Sequence, residues 1–282
     1  MVTGFDAAHF DLAGELLQSL QDNAAGRDFA IGAIHVGAEP LPARISQAAD
    51  LVFSLPDERF AREGGDGFRL AYLAVKAQLP SYFPGFDTYI WLDGDTWVQN
   101  RIGIAQIAHC AGLADFAAHP ELDVSYFAEQ SPSARTRWAY PAVYGEPEAS
   151  RWIGVPMINS GIFGARAASP LWAAWGEALA EIRMRAGAGE RVYFSDQIPL
   201  HRLVASGGLA VYPLRAVNNW MVHAARPAID FGRRLLVATT FPHEEIHIVH
   251  LTGLTKKGRY RLGAGERETT FRYPAIKALF GG

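Results

Sequence analysis

The sequence contains a single cysteine, Cys110, and little net charge. One cysteine excludes an intramolecular disulfide and favours a reducing, cytoplasmic location. The formal net charge of −3 comes from basic and acidic residues that are interspersed, so it provides no general attraction to nucleic acid or to anionic membranes. A bound phosphate would therefore have to be held by a few local cations.

Long apolar runs are also missing. Arg, Asp, Gly or Pro interrupts every apolar stretch before it reaches the ~20 residues of a membrane-spanning helix. No signal-peptide pattern precedes the first predicted strand. Both features add to the expectation of a cytoplasmic protein without a transmembrane segment.

Hydrophobic residues make up 49% of the 282 residues, which is enough for a sizeable core. In the first half, strand-like and helix-like segments alternate, which predicts an α/β fold with a mostly parallel sheet flanked by helices. No repeat or clear linker divides the chain, so we predict a single domain over residues 1–282. The predicted strands of this half are residues 1–3, 29–36, 51–54 and 88–92, and the predicted helices are residues 11–20, 43–49 and 68–82.

The middle of the chain, residues 121–153, is rich in proline, serine and aromatic residues and has no sustained periodicity. We predict long loops with short strands that form the wall of a second substrate site. Its aromatic rings either stack on a bound substrate or pack this loop-rich lobe against the main sheet; they are Trp138, Tyr140, Tyr144 and Trp152. The later predictions are strands 157–164, 209–212 and 246–251, helices 170–184 and 196–204, and a polar tail from residue 256 that wraps the surface.

One predicted strand ends in two carboxylates. Residues 88–92 are followed by Asp93, Gly94 and Asp95, and ligands of parallel sheets bind beyond the carboxyl ends of the strands. Two carboxylates at one turn can hold a divalent cation that neutralises a diphosphate. Asp-Gly is also a common turn sequence, so the motif alone is equally compatible with a simple turn.

Other ionisable residues are candidates to complete such a site. His250 lies near the end of the predicted strand 246–251, and an imidazole ligand would favour Mn²⁺ over Mg²⁺; a purely structural histidine is the alternative. Lys76, Lys256 and Lys257 are candidate phosphate partners, although most lysines only solvate a surface.

Two polar groups interrupt otherwise apolar or helical segments. Asn159, with Ser160 and Gly161, lies inside a predicted strand, and Asp196 with Gln197 opens a predicted helix. Amides beside a ligand can orient its hydroxyl groups, whereas an aspartate at a helix start is commonly an N-cap. Each feature is weak alone, and their order along the chain is more specific.

In this order the features resemble the family 8 retaining glycosyltransferases of the GT-A fold, which include glycogenin and bacterial lipopolysaccharide glycosyltransferases. That family has a basic residue, an Asp-X-Asp motif at a strand end, an Asn-Ser-Gly strand and an Asp-Gln pair. A histidine follows, with a glycine three residues and a lysine six residues later. The residues here that match this pattern run from Lys76 to Lys256.

The resemblance implies a role for each matched residue. A Mn²⁺ ion, or Mg²⁺, would be held by Asp93, Asp95 and His250 and would bridge the diphosphate of UDP-glucose or UDP-galactose. Residues 1–118 would form the nucleotide-sugar-binding half, and residues 119–282 the acceptor side with a C-terminal closing segment. Asp196 and Gln197 would be catalytic, and the donor-binding residues would be Lys76, Asp93, Gly94, Asp95, Asn159, Gly253, Lys256 and Thr3.

The implied activity is hexosyl transfer with retention of anomeric configuration, to a carbohydrate or another small molecule, by a protein that could be a homo-oligomer. A nucleotide-sugar-binding protein without turnover is one alternative. A sugar-phosphate nucleotidyltransferase is another, although residues 3–8 lack the cations that such an enzyme needs after its first strand. A purely structural domain would leave the matched residues a coincidence.

Overall fold

A computed structural model describes residues 1–24, 28–55, 74–126, 140–152, 154–188, 190, 195–262 and 267–281. The strands are β1 (Val2–Phe5), β2 (Gly32–Val36), β3 (Leu51–Leu55), β4 (Thr88–Leu92), β5 (Thr96–Val98), β6 (Phe116–Pro120), β7 (Ile158–Arg166), β8 (Val211–Pro213), β9 (Trp220–Met221), β10 (Ala228–Asp230), β11 (Leu235–Val237), β12 (Ile248–His250), β13 (Tyr260–Leu262) and β14 (Arg267–Thr269).

Helices surround these strands. The α-helices are α1 (Phe10–Asn23), α2 (Ala43–Ser46), α3 (Leu79–Tyr82), α4 (Ile102–Cys110), α5 (Pro141–Tyr144), α6 (Glu146–Trp152), α7 (Leu171–Gly187), α8 (Gln197–Ala205) and α9 (Tyr273–Leu279). Short 3₁₀ segments cover Ala7–His9, Val75–Gln78, Val124–Tyr126, Ala216–Asn218 and Gly253–Lys257. Within the described ranges, none of the helices combines the length and the apolar character needed to cross a membrane.

The central sheet has seven strands in the order β3-β2-β1-β4-β7-β6-β8. Only β7 among them runs against its neighbours, pairing antiparallel with both β4 and β6. The prediction of a mostly parallel sheet flanked by helices is confirmed. Because β7 is reversed, its first residues lie at the edge of the sheet where β4 and β6 end.

The strand β4 is apolar at successive positions because helices cover both faces of the sheet. Tyr89 and Trp91 enter a core that includes Trp175 of α7. Ile90 and Leu92 enter the opposite core, which α1 and α4 cover. Successive strand side chains point to opposite faces, so a strand buried on both sides carries no polar alternation.

A second, three-stranded sheet positions a distant part of the chain beside the end of β4. β12 pairs antiparallel with β5 and parallel with β9. In this register His250 lies opposite Thr96, directly after Asp95. The amide of Leu251 also donates to the carbonyl oxygen of Asp95 at 2.9 Å.

The short strands predicted for residues 121–153 are wrong for the described parts of that region, which form a 3₁₀ turn and the helices α5 and α6. Pro141 and Pro147 lie in the first turns of these helices, where the missing N–H costs nothing. The ring of Tyr140 is fully buried, so it packs the lobe. Trp138 lies outside the described residues.

Two further elements differ from the predictions. Residues 75–82 form a 3₁₀ segment followed by α3, because Pro80 has no N–H to bond the carbonyl of Lys76 in a continuous helix; residues 68–73 lie outside the described part. The tail forms the β13-β14 hairpin and α9, and it buries Phe271 and Ile276.

Candidate functional site

The turn after β4 brings two carboxylates together. The amide of Thr96 donates to the carbonyl oxygen of Asp93 at 3.0 Å, and the amide of Asp93 donates to the carbonyl oxygen of Gly161 at 2.8 Å. A Cβ at Gly94 would lie 3.2 Å from the carbonyl oxygen of Gly4, so the turn packs closely on β1. The motif is therefore a tight turn, as its sequence allows, and the same turn gathers its acidic side chains at the sheet edge.

His250 reaches this turn from β12. Its Nε2 lies 3.5 Å from Asp95 Oδ1 and 4.0 Å from Asp93 Oδ2. One ligand atom from each of the three residues lies within 4.8 Å of the others. The backbone of Gly161 packs against this cluster. A Cβ at this position would lie 2.3 Å from His250 Cε1.

The donor set fits a divalent cation. Two carboxylates and an imidazole suit Mn²⁺, and carboxylates also suit Mg²⁺. Four carboxylates, from Asp93, Asp95, Asp196 and Glu121, lie in the described site near only two lysines. A divalent cation would balance this excess of negative charge.

Lys76 is buried beneath the site, with 3% of its side chain exposed. Its Nζ lies 2.9 Å from Asp93 Oδ1 and 2.8 Å from Asp196 Oδ2, and it donates to the carbonyl oxygen of Ser160 at 3.2 Å. These three acceptors match the three N–H donors of an ammonium group. Burial alone would lower the pKa of Lys76, but the two carboxylates outweigh it and raise that pKa, so the lysine is charged.

Lys256 approaches from the 3₁₀ segment that follows β12. Gly253 begins this segment with a φ of +58°, a left-handed conformation that favours glycine. Lys256 Nζ lies 2.8 Å from Asp95 Oδ2, whereas Lys257 is exposed. Burial alone would raise the pKa of Asp95, but His250 and Lys256 outweigh it and lower that pKa.

Polar side chains at the start of β7 and α8 join the site. Ser160 Oγ donates to Asp196 Oδ2 at 2.9 Å. Asn159 Nδ2 and Gln197 Nε2 both donate to Glu121 Oε1, at 3.0 and 2.6 Å. The structure thus brings both predicted polar groups to the edge of the sheet that carries the Asp-Gly-Asp turn.

Glu121 was not predicted. It directly follows β6, a strand that the sequence analysis did not identify, so its place at the carboxyl edge of the sheet could not be inferred. Thr3 was predicted to bind donor and lies inside β1; its Oγ1 is buried and has no hydrogen-bond partner among the described residues.

Solved structures of glycosyltransferases share this fold. The galactosyltransferase LgtC, in complex with donor and acceptor sugar analogues, has a TM-score of 0.58 and 14% identity over 99% of this chain and 94% of its own. Mouse xyloside xylosyltransferase 1, apo form, has a TM-score of 0.53 and 14% identity over 88% of this chain and 96% of its own. The likeness shows that the chain has the GT-A fold, which confirms the predicted fold class.

An active-site mutant of LgtC, with glutamate in place of glutamine, is also similar. Its TM-score is 0.54, with 12% identity over 89% of this chain and 86% of its own. No protein-family model matches the sequence, and no curated protein matches it either.

Proposed function

We propose that this protein is a metal-dependent retaining glycosyltransferase of family 8 that transfers a hexose from UDP-glucose or UDP-galactose. The observation that carries the proposal is the cluster of Asp93, Asp95 and His250 at the carboxyl edge of a GT-A sheet, with Lys256 beside it. A purely structural domain would not require this combination of metal ligands, lysine and buried amides. A nucleotide-sugar-binding protein without turnover would keep the same residues, and the assay below separates it from an enzyme.

The cation in this site would be Mn²⁺ or Mg²⁺, held by the two aspartates and the histidine. When bound, it would neutralise the diphosphate and stabilise the leaving nucleotide. Lys256 would add positive charge at the diphosphate, because its side chain is 29% exposed and is held only by Asp95 among the ion pairs of the described residues. Gly253 gives the chain the turn that places this lysine.

Lys76 would act through the carboxylates that it holds. All three N–H groups of its ammonium have acceptors, two of which are the carboxylates of Asp93 and Asp196, so Lys76 fixes the orientations of these two side chains. Asp196, with one oxygen held by Lys76 and Ser160, would bind a sugar hydroxyl. Asn159 would contribute to the same sugar pocket.

Gln197 would lie nearest the reacting carbon of the sugar. LgtC has an active-site glutamine whose replacement by glutamate has been made, and this supports the assignment. Gln197 Nε2 donates to Glu121, and this hydrogen bond fixes the direction in which the side-chain carbonyl oxygen of Gln197 points. We propose that the acceptor attacks from the face that the nucleotide leaves, which retains the anomeric configuration.

The experiment is a turnover assay on purified protein with each UDP-hexose and Mn²⁺, in which UDP release and the anomer of the sugar product are measured. We expect UDP release that stops on chelation, and an α-configured product from an α-configured donor. Asp95→Asn should abolish release, and Lys257→Ala, which changes an exposed neighbour of Lys256, should not. Donor binding without any release, even to water, would indicate a binding protein instead.

A further inference from the structure

A row of buried amide side chains lies behind His250. His250 Nδ1 is 2.8 Å from Asn219 Oδ1, and Asn219 Nδ2 donates to Asn159 Oδ1 at 2.9 Å. Asn159 Nδ2 in turn donates to Glu121 Oε1 at 3.0 Å. Asn219 is fully buried, and 5% of Asn159 is exposed, so water does not compete for these groups.

The direction of this row is fixed by groups that cannot be reversed. The backbone N–H of Gly161 can only donate, and it lies 2.9 Å from Asn159 Oδ1. At the other end of the same amide, the carboxylate of Glu121 can only accept. Asn159 therefore presents its carbonyl oxygen to Asn219, and Asn219 must face it with its NH₂ group.

The remaining atom of Asn219, its carbonyl oxygen, faces the imidazole. A carbonyl oxygen accepts only, so Nδ1 of His250 must carry a proton. The neutral ring then has its lone pair on Nε2, the atom directed at the two aspartates. Metal-ligating histidines commonly have their tautomer fixed in this way by a partner on the other ring nitrogen.

We propose that Asn219 is a positioning residue that holds His250 as the Nδ1–H tautomer, and that Asn159 and Glu121 impose the required direction on it. The tautomer follows from these hydrogen bonds alone. Only the statement that His250 binds Mn²⁺ or Mg²⁺ rests on the proposed function. Glu121 also accepts from Gln197 Nε2, so this one carboxylate orients both Gln197 and the row of amides that ends at His250.

The neighbouring residue, Asn218, provides a matched control. Asn218 Oδ1 lies 2.8 Å from His247 Nδ1, and both residues are buried, but neither belongs to the cluster of carboxylates. Asn218→Leu therefore repeats the same chemical change one residue away. Asn219→Asp keeps an acceptor for His250, and Asn219→Leu removes it while keeping the number and branching of the side-chain heavy atoms.

The first measurement is the ¹⁵N spectrum of the histidine rings in metal-free protein, at a pH well above the usual titration range of histidine. We expect the Nδ1–H tautomer for His250 in the wild type and in Asn219→Asp, and its loss in Asn219→Leu. Asn218→Leu should change His247 only. An Nε2–H ring in the wild type, or an unchanged His250 ring in a folded Asn219→Leu, would overturn the proposal.

The second measurement is the affinity for Mn²⁺ alone. We expect Asn219→Leu to bind Mn²⁺ about 10–100-fold more weakly, the usual effect of losing such a partner, and Asn218→Leu to bind as the wild type does. Equal affinity in the wild type and in Asn219→Leu would contradict the positioning role. A wild type with the expected tautomer and no Mn²⁺ binding would contradict the proposed function while supporting the tautomer.

Discussion

Gly161 is the residue whose replacement tests the packing of the site most severely. A Cβ at this position would lie 2.3 Å from His250 Cε1, 2.9 Å from Asp93 Oδ2 and 3.0 Å from Asn159 Oδ1. Real Cβ atoms essentially never come within 3.0 Å of such neighbours, so at least the imidazole must move. Gly161→Ala therefore adds one methyl group at the centre of the candidate metal site.

The neighbours have little freedom to give way. His250 is held on its far side by Asn219, and Asp93 is held by Lys76 and by the indole N–H of Trp91, which donates at 2.7 Å. Overpacking a well-filled site costs about 1–3 kcal/mol. We expect Gly161→Ala to lower the free energy of unfolding by about that amount.

The assay combines urea unfolding with a Mn²⁺ titration. We expect Mn²⁺ affinity to fall about tenfold or more, because a displaced ring no longer points its Nε2 at the carboxylates. The control is Gly176→Ala on α7, where a Cβ meets nothing within 4 Å and should stabilise the helix by about 0.5–1 kcal/mol. A Gly161→Ala protein with wild-type stability and wild-type Mn²⁺ affinity would refute the geometry.

Other substitutions test the charges of the site. Lys76→Met leaves the buried Asp196 and the partly buried Asp93 without their shared partner and should cost about 3–5 kcal/mol in urea unfolding at pH 7; a loss below about 1 kcal/mol would contradict its role. The pKa of Asp95 is lowered from its usual 3.8, so metal-free protein should lose stability as pH falls below that value, and Asp95→Asn should show a flatter acid slope. Lys256→Ala should weaken UDP-hexose binding about tenfold or more in calorimetry, whereas Lys257→Ala should not; equal losses would refute the assignment.

The strand that precedes the Asp-Gly-Asp turn could be predicted from the sequence, because its position depends on a local pattern. The predicted strand 88–92 is β4 without change, since four consecutive apolar side chains followed by Asp-Gly can hardly be placed otherwise. That His250 faces Asp95 could not be worked out from local pattern. It depends on the register of β12 against β5, a pairing across the whole chain, and the resemblance to known transferases supplied it.

The parts that were missed depend on tertiary context. β6 is short and contains two alanines, a histidine and a proline, so its strand conformation depends on pairing with β7. Because β6 was not predicted, Glu121, which follows it, was not predicted to join the site. The segment 121–153 lacks periodicity because α5 and α6 are each less than about two turns long. The saturation of Lys76 by three acceptors also has no signal in the sequence.

The most direct test of the central claim is calorimetric titration of UDP-glucose and UDP-galactose into the wild-type protein, with Mn²⁺ and with a chelator. The account predicts binding of at least one donor that requires Mn²⁺ and is lost in Asp95→Asn and His250→Ala proteins that remain folded. Donor binding that is equally tight with the chelator, or no binding of either donor with Mn²⁺, would contradict it.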